Sequence, residues 1–276
     1  MTPLEAVRMV AQELAAAGVP TPRVDAEHLV AHVLGVSRTE LYVSSERMSA
    51  EESSRLRSLV ERRRRREPLA YILGEWGFRR LLLRVDSRAL IPRPETEIVV
   101  ERCLERLRGL EAPRILDVGV GSGAIALALV DEHPGVRVLG VESSRAALVL
   151  AHENHVRMGV NGRVDFVHGD LLGGIRGPLD LVVSNPPYVA PAEFDLLQPE
   201  IRLYEPREAL VGEGRGEAVA EAALGALRPG GWVVLECGDG QASALAAALA
   251  AFGYEDVLVT PDLAGRDRVV EGRRPF

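Results

Sequence analysis

This sequence predicts an α/β fold in two parts: a small helical domain, then a larger domain built on a mostly parallel, doubly wound sheet. Three observations carry that reading. From Arg114 onward, short apolar runs alternate with helix-patterned stretches, as βαβ units require. The first of those runs opens directly into a glycine-rich turn, Gly119-Val120-Gly121-Ser122-Gly123. The N-terminal quarter shows helical spacing without β-branched alternation.

Leu4, Val7, Met9, Val10 and Leu14 mark a first helix that ends at Gly18 and Pro20. A second covers Asp25 to Leu34 and stops at Gly35, and a third runs from Ala50 to Arg66. Ala70–Phe78 and Leu81–Val85 read as two strands of a β-hairpin that links the two domains. Ile91-Pro92-Arg93-Pro94 is a stiff extended segment, because each proline fixes its own φ and restricts its predecessor. Buried parallel strands show as continuous apolar runs; these lie at 114–118, 136–141, 164–168, 179–184 and 231–237. Helices are expected at 123–132, 144–158 and 215–228, and two last strands at Glu255–Thr260 and Arg268–Glu271.

The chain has 276 residues, 47% of them hydrophobic, which suffices for a sizeable core. No run of 18 apolar residues lacks charge, so no membrane span is expected. The first residues lack the basic-then-apolar pattern of a secretory leader. Two cysteines, Cys103 and Cys237, suggest neither a disulfide framework nor a zinc site and suit a reducing cytoplasm. The net charge of −7 argues against a general nucleic-acid binder, although all 33 cations are arginine.

The glycine-rich turn follows the strand Ile115–Val118, where ligands sit in such sheets. Gly119, Gly121 and Ala124 satisfy G-x-G-x-x-A, so a dinucleotide enzyme such as a nicotinamide-dependent oxidoreductase stays open. Asp117 shifts the balance, because a carboxylate beside the turn opposes a pyrophosphate and favours a sulfonium and an ammonium. Glu142, ending the next strand, is placed to accept from both hydroxyls of a ribose. Asp170 follows the third strand, where it can accept from an adenine amino group, with Leu171 packing on the ring. Three acids at three strand ends suit S-adenosylmethionine.

Asn185-Pro186-Pro187-Tyr188 closes the fourth strand. An amide or exocyclic amine nitrogen is a poor nucleophile, because its lone pair is delocalised. Methyl transfer moves positive charge onto it, and acceptors aimed at its N–H groups stabilise that charge. The Asn185 side-chain carbonyl and the Pro186 backbone carbonyl supply two such acceptors. Prolines add no competing donor, and the Tyr188 ring can lie against the planar group. The segment therefore points to methylation of a planar nitrogen and does not choose between a glutamine amide and adenine.

The basic run Arg62–Arg66 reads as a solvated helix face, with contact to an acidic partner as the alternative. His152 and His155 are three apart, not four as a zinc helix needs, and read as surface residues. Trp76 and Phe78 read as interdomain packing.

Taken in order, several segments resemble the N5-glutamine methyltransferases of peptide chain release factors. They are Tyr71–Gly74, Ile91–Glu97, Asp117–Ala126, Ser184–Tyr188, Tyr204–Leu210, Glu236–Gln241, Asp262 and Gly265–Val270. Tetrapeptides like Asn185–Tyr188 also occur in DNA adenine methyltransferases, whereas Ile91–Glu97 and Tyr204–Leu210 are more particular to the release-factor family. The resemblance implies a Rossmann-like, seven-stranded class I methyltransferase sheet. It implies an N-terminal helical domain over 1–70, a β-hairpin linker over 71–92 and a catalytic domain over 93–276. S-adenosylmethionine would be the cofactor, contacted by Gly119, Val120, Gly121, Ser122, Gly123, Glu142, Leu171 and Asn185, with no metal. The substrate would be the glutamine of the Gly-Gly-Gln loop of a release factor, its amide held by Asn185, Pro186, Pro187 and Tyr188. The enzyme is expected to act as a monomer, with no stable nucleic-acid partner. The family usually has aspartate where Glu142 stands, often threonine at Val120, and in some members tryptophan at Leu171.

Overall fold

A computed structural model of the chain describes residues 1–43, 46–160, 162–172 and 174–276. They form two compact units, Met1–Glu75 with Gln198–Tyr204, and Trp76–Leu197 with Glu205–Phe276.

The first unit contains α1 (Pro3–Ala16), α2 (Pro22–Leu34), α3 (Ala50–Arg64) and α4 (Leu69–Leu73). Capping boxes start α1 and α3: Thr2 with Glu5, and Ser49 with Glu52, satisfy each other's backbone N–H groups. Ala6, Val10, Leu14, Leu29, Val30 and Leu56 close its core. The expected strand Ala70–Phe78 is extended only from Glu75. Its first part is the helix α4, entered after Pro68 and ended by Gly74 at φ 78. A short apolar run looks alike in either state, and here the flanking proline and glycine decide.

In the Arg62–Arg66 run Arg64 and Arg65 are solvated, as read, but every cation has an acidic partner and Arg63 is buried. Arg62 pairs with Glu67, Arg64 and Arg65 with Glu61, and Arg66 with Glu200. Arg63 is buried, 2.6 Å from Asp25 and 2.9 Å from Glu200.

The second unit begins at Trp76 within β1 (Glu75–Phe78), which with β2 (Leu81–Arg84) forms a two-stranded sheet turning at Arg79-Arg80. It continues through α5 (Thr96–Arg106), β3 (Arg114–Val118), α6 (Ala124–Glu132), β4 (Arg137–Glu142), α7 (Arg145–Met158), β5 (Val164–His168) and β6 (Leu179–Ser184). The helix α8 (Pro199–Tyr204) belongs to the first unit. Then come α9 (Arg215–Ala226), β7 (Leu227–Glu236), α10 (Ala242–Phe252), β8 (Glu255–Pro261) and β9 (Asp267–Arg273). The expected seven strands are present in the order β5-β4-β3-β6-β7-β9-β8, with β9 antiparallel to both neighbours. Alternate residues serve opposite faces. Leu181 and Val183 join the core with α5 and α6, and Val182 joins the one with α9 and α10. Both faces being buried explains why β6 reads as an unbroken apolar run. The helices α5 and α10 were not legible as elements.

The hairpin is fastened by charge. Arg79 pairs with Glu132 and its backbone N–H donates to Glu97 at 2.8 Å. Asn154 of α7 is 1% exposed. Its amide donates to Arg84 O and Ser122 O and accepts from Arg84 N, joining β2 to the glycine-rich turn.

Candidate active site

Strand order reverses between β3 and β6, so a crevice opens above their carboxyl ends. A cavity of about 430 Å³ occupies it, a size usual for a small-molecule site. It is lined by Gly119, Val120, Gly121 and Ser122 of the turn, by Glu142, Asp170 and Leu171, and by Asn185, Pro186 and Pro187. Ten residues singled out from the sequence, spread over four strand ends, are thus brought together. Asp117, Gly123 and Tyr188 are not in the lining.

The turn needs its glycines, since Gly119, Gly121 and Gly123 have φ of 76, 55 and 87. Its N–H groups point inward. Gly119 and Val120 donate to Val141 O, Gly121 to Glu142 Oε2 at 2.9 Å, and Gly123 to Val120 O. A phosphate-binding turn keeps such donors for its ligand, so this one suits a phosphate-free group. The pocket's charge agrees. Arg88 is paired with Asp86 and Glu153, Arg93 with Glu205, and Arg215 with Asp170. Among the described residues Glu142 accepts from the Gly121 and Ser144 N–H groups and the Ser143 hydroxyl, and no cation is paired with it.

Asp117 lies beneath the turn, 1% exposed. One oxygen accepts from Ala126 N at 3.1 Å and the other has no partner among the described residues. Burial pushes its carboxyl up to about 7. Asp170 sits at the rim, where the Arg215 hydrogen bond holds its carboxyl below the usual range. Leu171 follows in the left-handed region at φ 48, a conformation that costs a branched side chain about 1–2 kcal/mol.

The acceptor segment is gripped from three sides. Asn185 Nδ2 donates to Thr96 Oγ1 at 3.1 Å. Pro187 packs where a Cβ on Gly212 would come within 2.6 Å of it. Tyr188 O accepts from Gln241 Nε2 at 2.9 Å, and burial pushes the Tyr188 hydroxyl up to about 12. Beyond it, Val189 exchanges backbone hydrogen bonds with Leu210 and Gly212. Glu205, 5% exposed, accepts from Ile91 N at 3.1 Å and from Arg93. It thereby ties together Ile91–Glu97 and Tyr204–Leu210, which the sequence singled out without a role. Thr96, Glu205 and Glu236 are contributors that sequence reasoning did not assign. Among the described residues no group of three or more His, Cys, Asp or Glu could hold a metal ion, and no helix is long and apolar enough to cross a membrane.

Known proteins share this architecture. Residues 5–74 match the family model for the PrmC N-terminal domain, and residues 96–229 match the methyltransferase small domain. The fold is similar to that of a 16S rRNA methyltransferase of T. thermophilus solved with AdoMet and guanosine. That match has a TM-score of 0.54 at 19% identity and covers 72% of this chain and 49% of that one. A release factor glutamine methyltransferase of Deinococcus radiodurans is 44% identical over 269 residues, 95% of this chain and 94% of its own. One of Caulobacter vibrioides is 41% identical over 262 residues, 93% of this chain and 91% of its own. With that identity over more than nine tenths of both chains, the chain belongs to the release factor glutamine methyltransferase family.

Proposed function

We propose that this protein transfers a methyl group from S-adenosylmethionine to the side-chain amide nitrogen of the glutamine in the Gly-Gly-Gln loop of class 1 peptide chain release factors, giving N5-methylglutamine. One observation carries the reading: a single cavity is lined both by the glycine-rich turn with Glu142 and by Asn185–Pro187. The cofactor fits the residues present. The turn offers few donors to a phosphate, and Glu142 and the buried Asp117 favour a cation. Gly119–Ser122, Glu142, Leu171 and Asn185 would hold it, with Glu142 toward the ribose and Asp117 acting through the field. When bound, it supplies an electrophilic methyl carbon on a sulfonium.

The chain's own groups do the rest. Asn185 Oδ1 and Pro186 O accept from the two N–H groups of the substrate amide, which orients its nitrogen and stabilises the charge developing there. As the nitrogen gains the methyl group, the methyl–sulfur bond breaks and the nitrogen becomes acidic, so its proton leaves to water and no side-chain base is required. Tyr188 serves by fixing the segment through Gln241 more than by facing the substrate. The release factor is the partner, and the helical unit is its docking element.

The test is transfer of labelled methyl to three acceptors: a release factor, the same factor with the loop glutamine replaced, and duplex DNA. Label on the intact factor alone is expected. Label on DNA and none on the factor would replace this reading with adenine methylation.

A further inference from the structure

The acceptor role of Asn185 depends on which way its amide points. An amide has an oxygen at one end and two N–H donors at the other, and the two orientations fill the same space. Only one presents an acceptor to the substrate. In the other, a donor meets a donor and stabilisation turns to repulsion. Something must therefore distinguish them.

We propose that Thr96 and Glu236 are positioning residues that lock the Asn185 amide with Nδ2 inward and Oδ1 toward the substrate nitrogen. Three elements converge to do this: the N-terminus of α5 and the carboxyl ends of the adjacent strands β6 and β7. Asn185 Nδ2 donates to Thr96 Oγ1 at 3.1 Å, and Thr96 Oγ1 donates to Glu236 Oε2 at 2.6 Å. Thr96 is 4% and Glu236 1% exposed, so water does not compete for these bonds. The direction follows from proton counting. A carboxylate only accepts, and a hydroxyl has one proton. With Glu236 ionised, the Thr96 proton is committed to it. The Thr96 lone pair can then only receive, and the side of Asn185 facing it must be the NH2. The inference rests on the proposed methyl transfer to an amide nitrogen, and gives that reading its specificity for an N–H acceptor.

The relay reverses if Glu236 gains a proton. A protonated Glu236 donates to Thr96, whose own proton then turns to Asn185 and favours Oδ1 inward. Burial pushes this carboxyl up to about 7, against the Thr96 hydrogen bond. Arg268 of β9 and Arg93 before α5 favour its charged form, while Glu95 opposes it; Tyr188 and Cys237 also sense its charge. Activity should therefore fall on the acid side of neutrality, by about tenfold per pH unit once Glu236 is mostly protonated.

The experiment compares wild type with Thr96→Val, Thr96→Ser and Glu236→Gln. The side-chain NH2 signals of Asn185, identified by their loss in N185D, are followed by hydrogen exchange in the enzyme alone at pH 8. Steady-state methylation of a release factor is measured from pH 6 to 9. Protection of the Asn185 NH2 in wild type and Thr96→Ser, lost in Thr96→Val, is the expected result. With it, Thr96→Val should lower kcat by about 10- to 100-fold while KM for the release factor moves less than about threefold. Thr96→Ser should restore kcat, and Glu236→Gln should abolish the acid limb. Equal protection in wild type and Thr96→Val, or an unchanged acid limb in Glu236→Gln, overturns the lock. The exchange readout needs neither cofactor nor substrate. If the release factor proves not to be the acceptor, methylation fails in every variant, wild type included, while exchange still judges the lock.

Discussion

Two sets of buried acids, one in each unit, are held in opposite ways. In the helical unit, Asp25 and Glu200 share the buried Arg63, and Glu27 accepts from Tyr42, Arg38 and Arg23. Those partners hold Glu27 down to about 2, with the Tyr42 hydroxyl first among them. In the methyltransferase unit the buried Glu205 and Glu271 are paired with arginines, but Asp117 and Glu236, as deeply buried, have no directly bonded cation among the described residues, and burial lifts both to about 7. A buried carboxylate left without a cation is unfavourable for folding. Both lie at or next to the carboxyl ends of sheet strands, where an unpaired buried acid is a functional-site candidate.

The contrast can be broken most strongly from the paired side. Arg63→Met leaves the buried Asp25 without its cation and Glu200 with Arg66 alone, and should destabilise the helical unit by about 3–5 kcal/mol. Residue-resolved hydrogen exchange on the full chain should show the loss in α1–α3. An effect under about 1 kcal/mol would mean those acids do not depend on their cation.

Asp117→Asn tests the other side. A folded-state carboxyl raised from 3.8 to about 7 favours folding while protonated, and that stability is lost as pH rises from about 4 to 7. The variant should therefore be more stable than wild type at pH 8, by at most about 4 kcal/mol, with little difference at pH 4. Calorimetric binding of S-adenosylmethionine should weaken in the same variant. Gained stability with unchanged affinity would remove Asp117 from the site and leave only its cost. Glu27 runs the opposite way: its stability is present above about pH 4.5 and lost as pH falls toward 2. Between pH 7 and 4.5, acidification should thus stabilise the methyltransferase unit and leave this part of the helical unit unchanged.

Asn185→Ala removes an uncharged acceptor instead of a charge. Turnover should fall about 100- to 1000-fold, with a smaller change in cofactor affinity. Smallest of all, Arg215→Ala releases Asp170 from an exposed pair and should change stability by less than about 1 kcal/mol. Its value lies in cofactor affinity, which should rise if the freed carboxylate turns to the adenine amino group.

The sheet was legible because strands buried on both faces leave continuous apolar runs. The bounds of β3, β5 and β6 match the sequence reading, and β4 is off by one residue at each end. The ten cavity residues were legible because strand ends in such a sheet converge by rule. The lock was not. Thr96 and Glu236 are 140 residues apart, and no spacing reveals that α5 delivers a hydroxyl to the end of β7. Asn154 went unassigned for a related reason: its partners lie in the returning hairpin and the glycine-rich turn, far off in sequence. The alanine-rich α10 left too weak an apolar stripe to be seen against its surroundings.

The helix α8 has one further consequence. Its Glu200 completes the Arg63 cluster and its Tyr204 hydroxyl donates to Arg65 O at 2.8 Å, so the helical unit is discontinuous along the chain. Recombination at Glu75 alone would not transplant it. A chimera carrying only residues 1–75 of a relative would join its bundle to a foreign Pro199–Tyr204, and compatibility would turn on those six residues. The two units are separate as compact bodies but inherited as an interleaved pair, and exchange between relatives should succeed only when both pieces travel together.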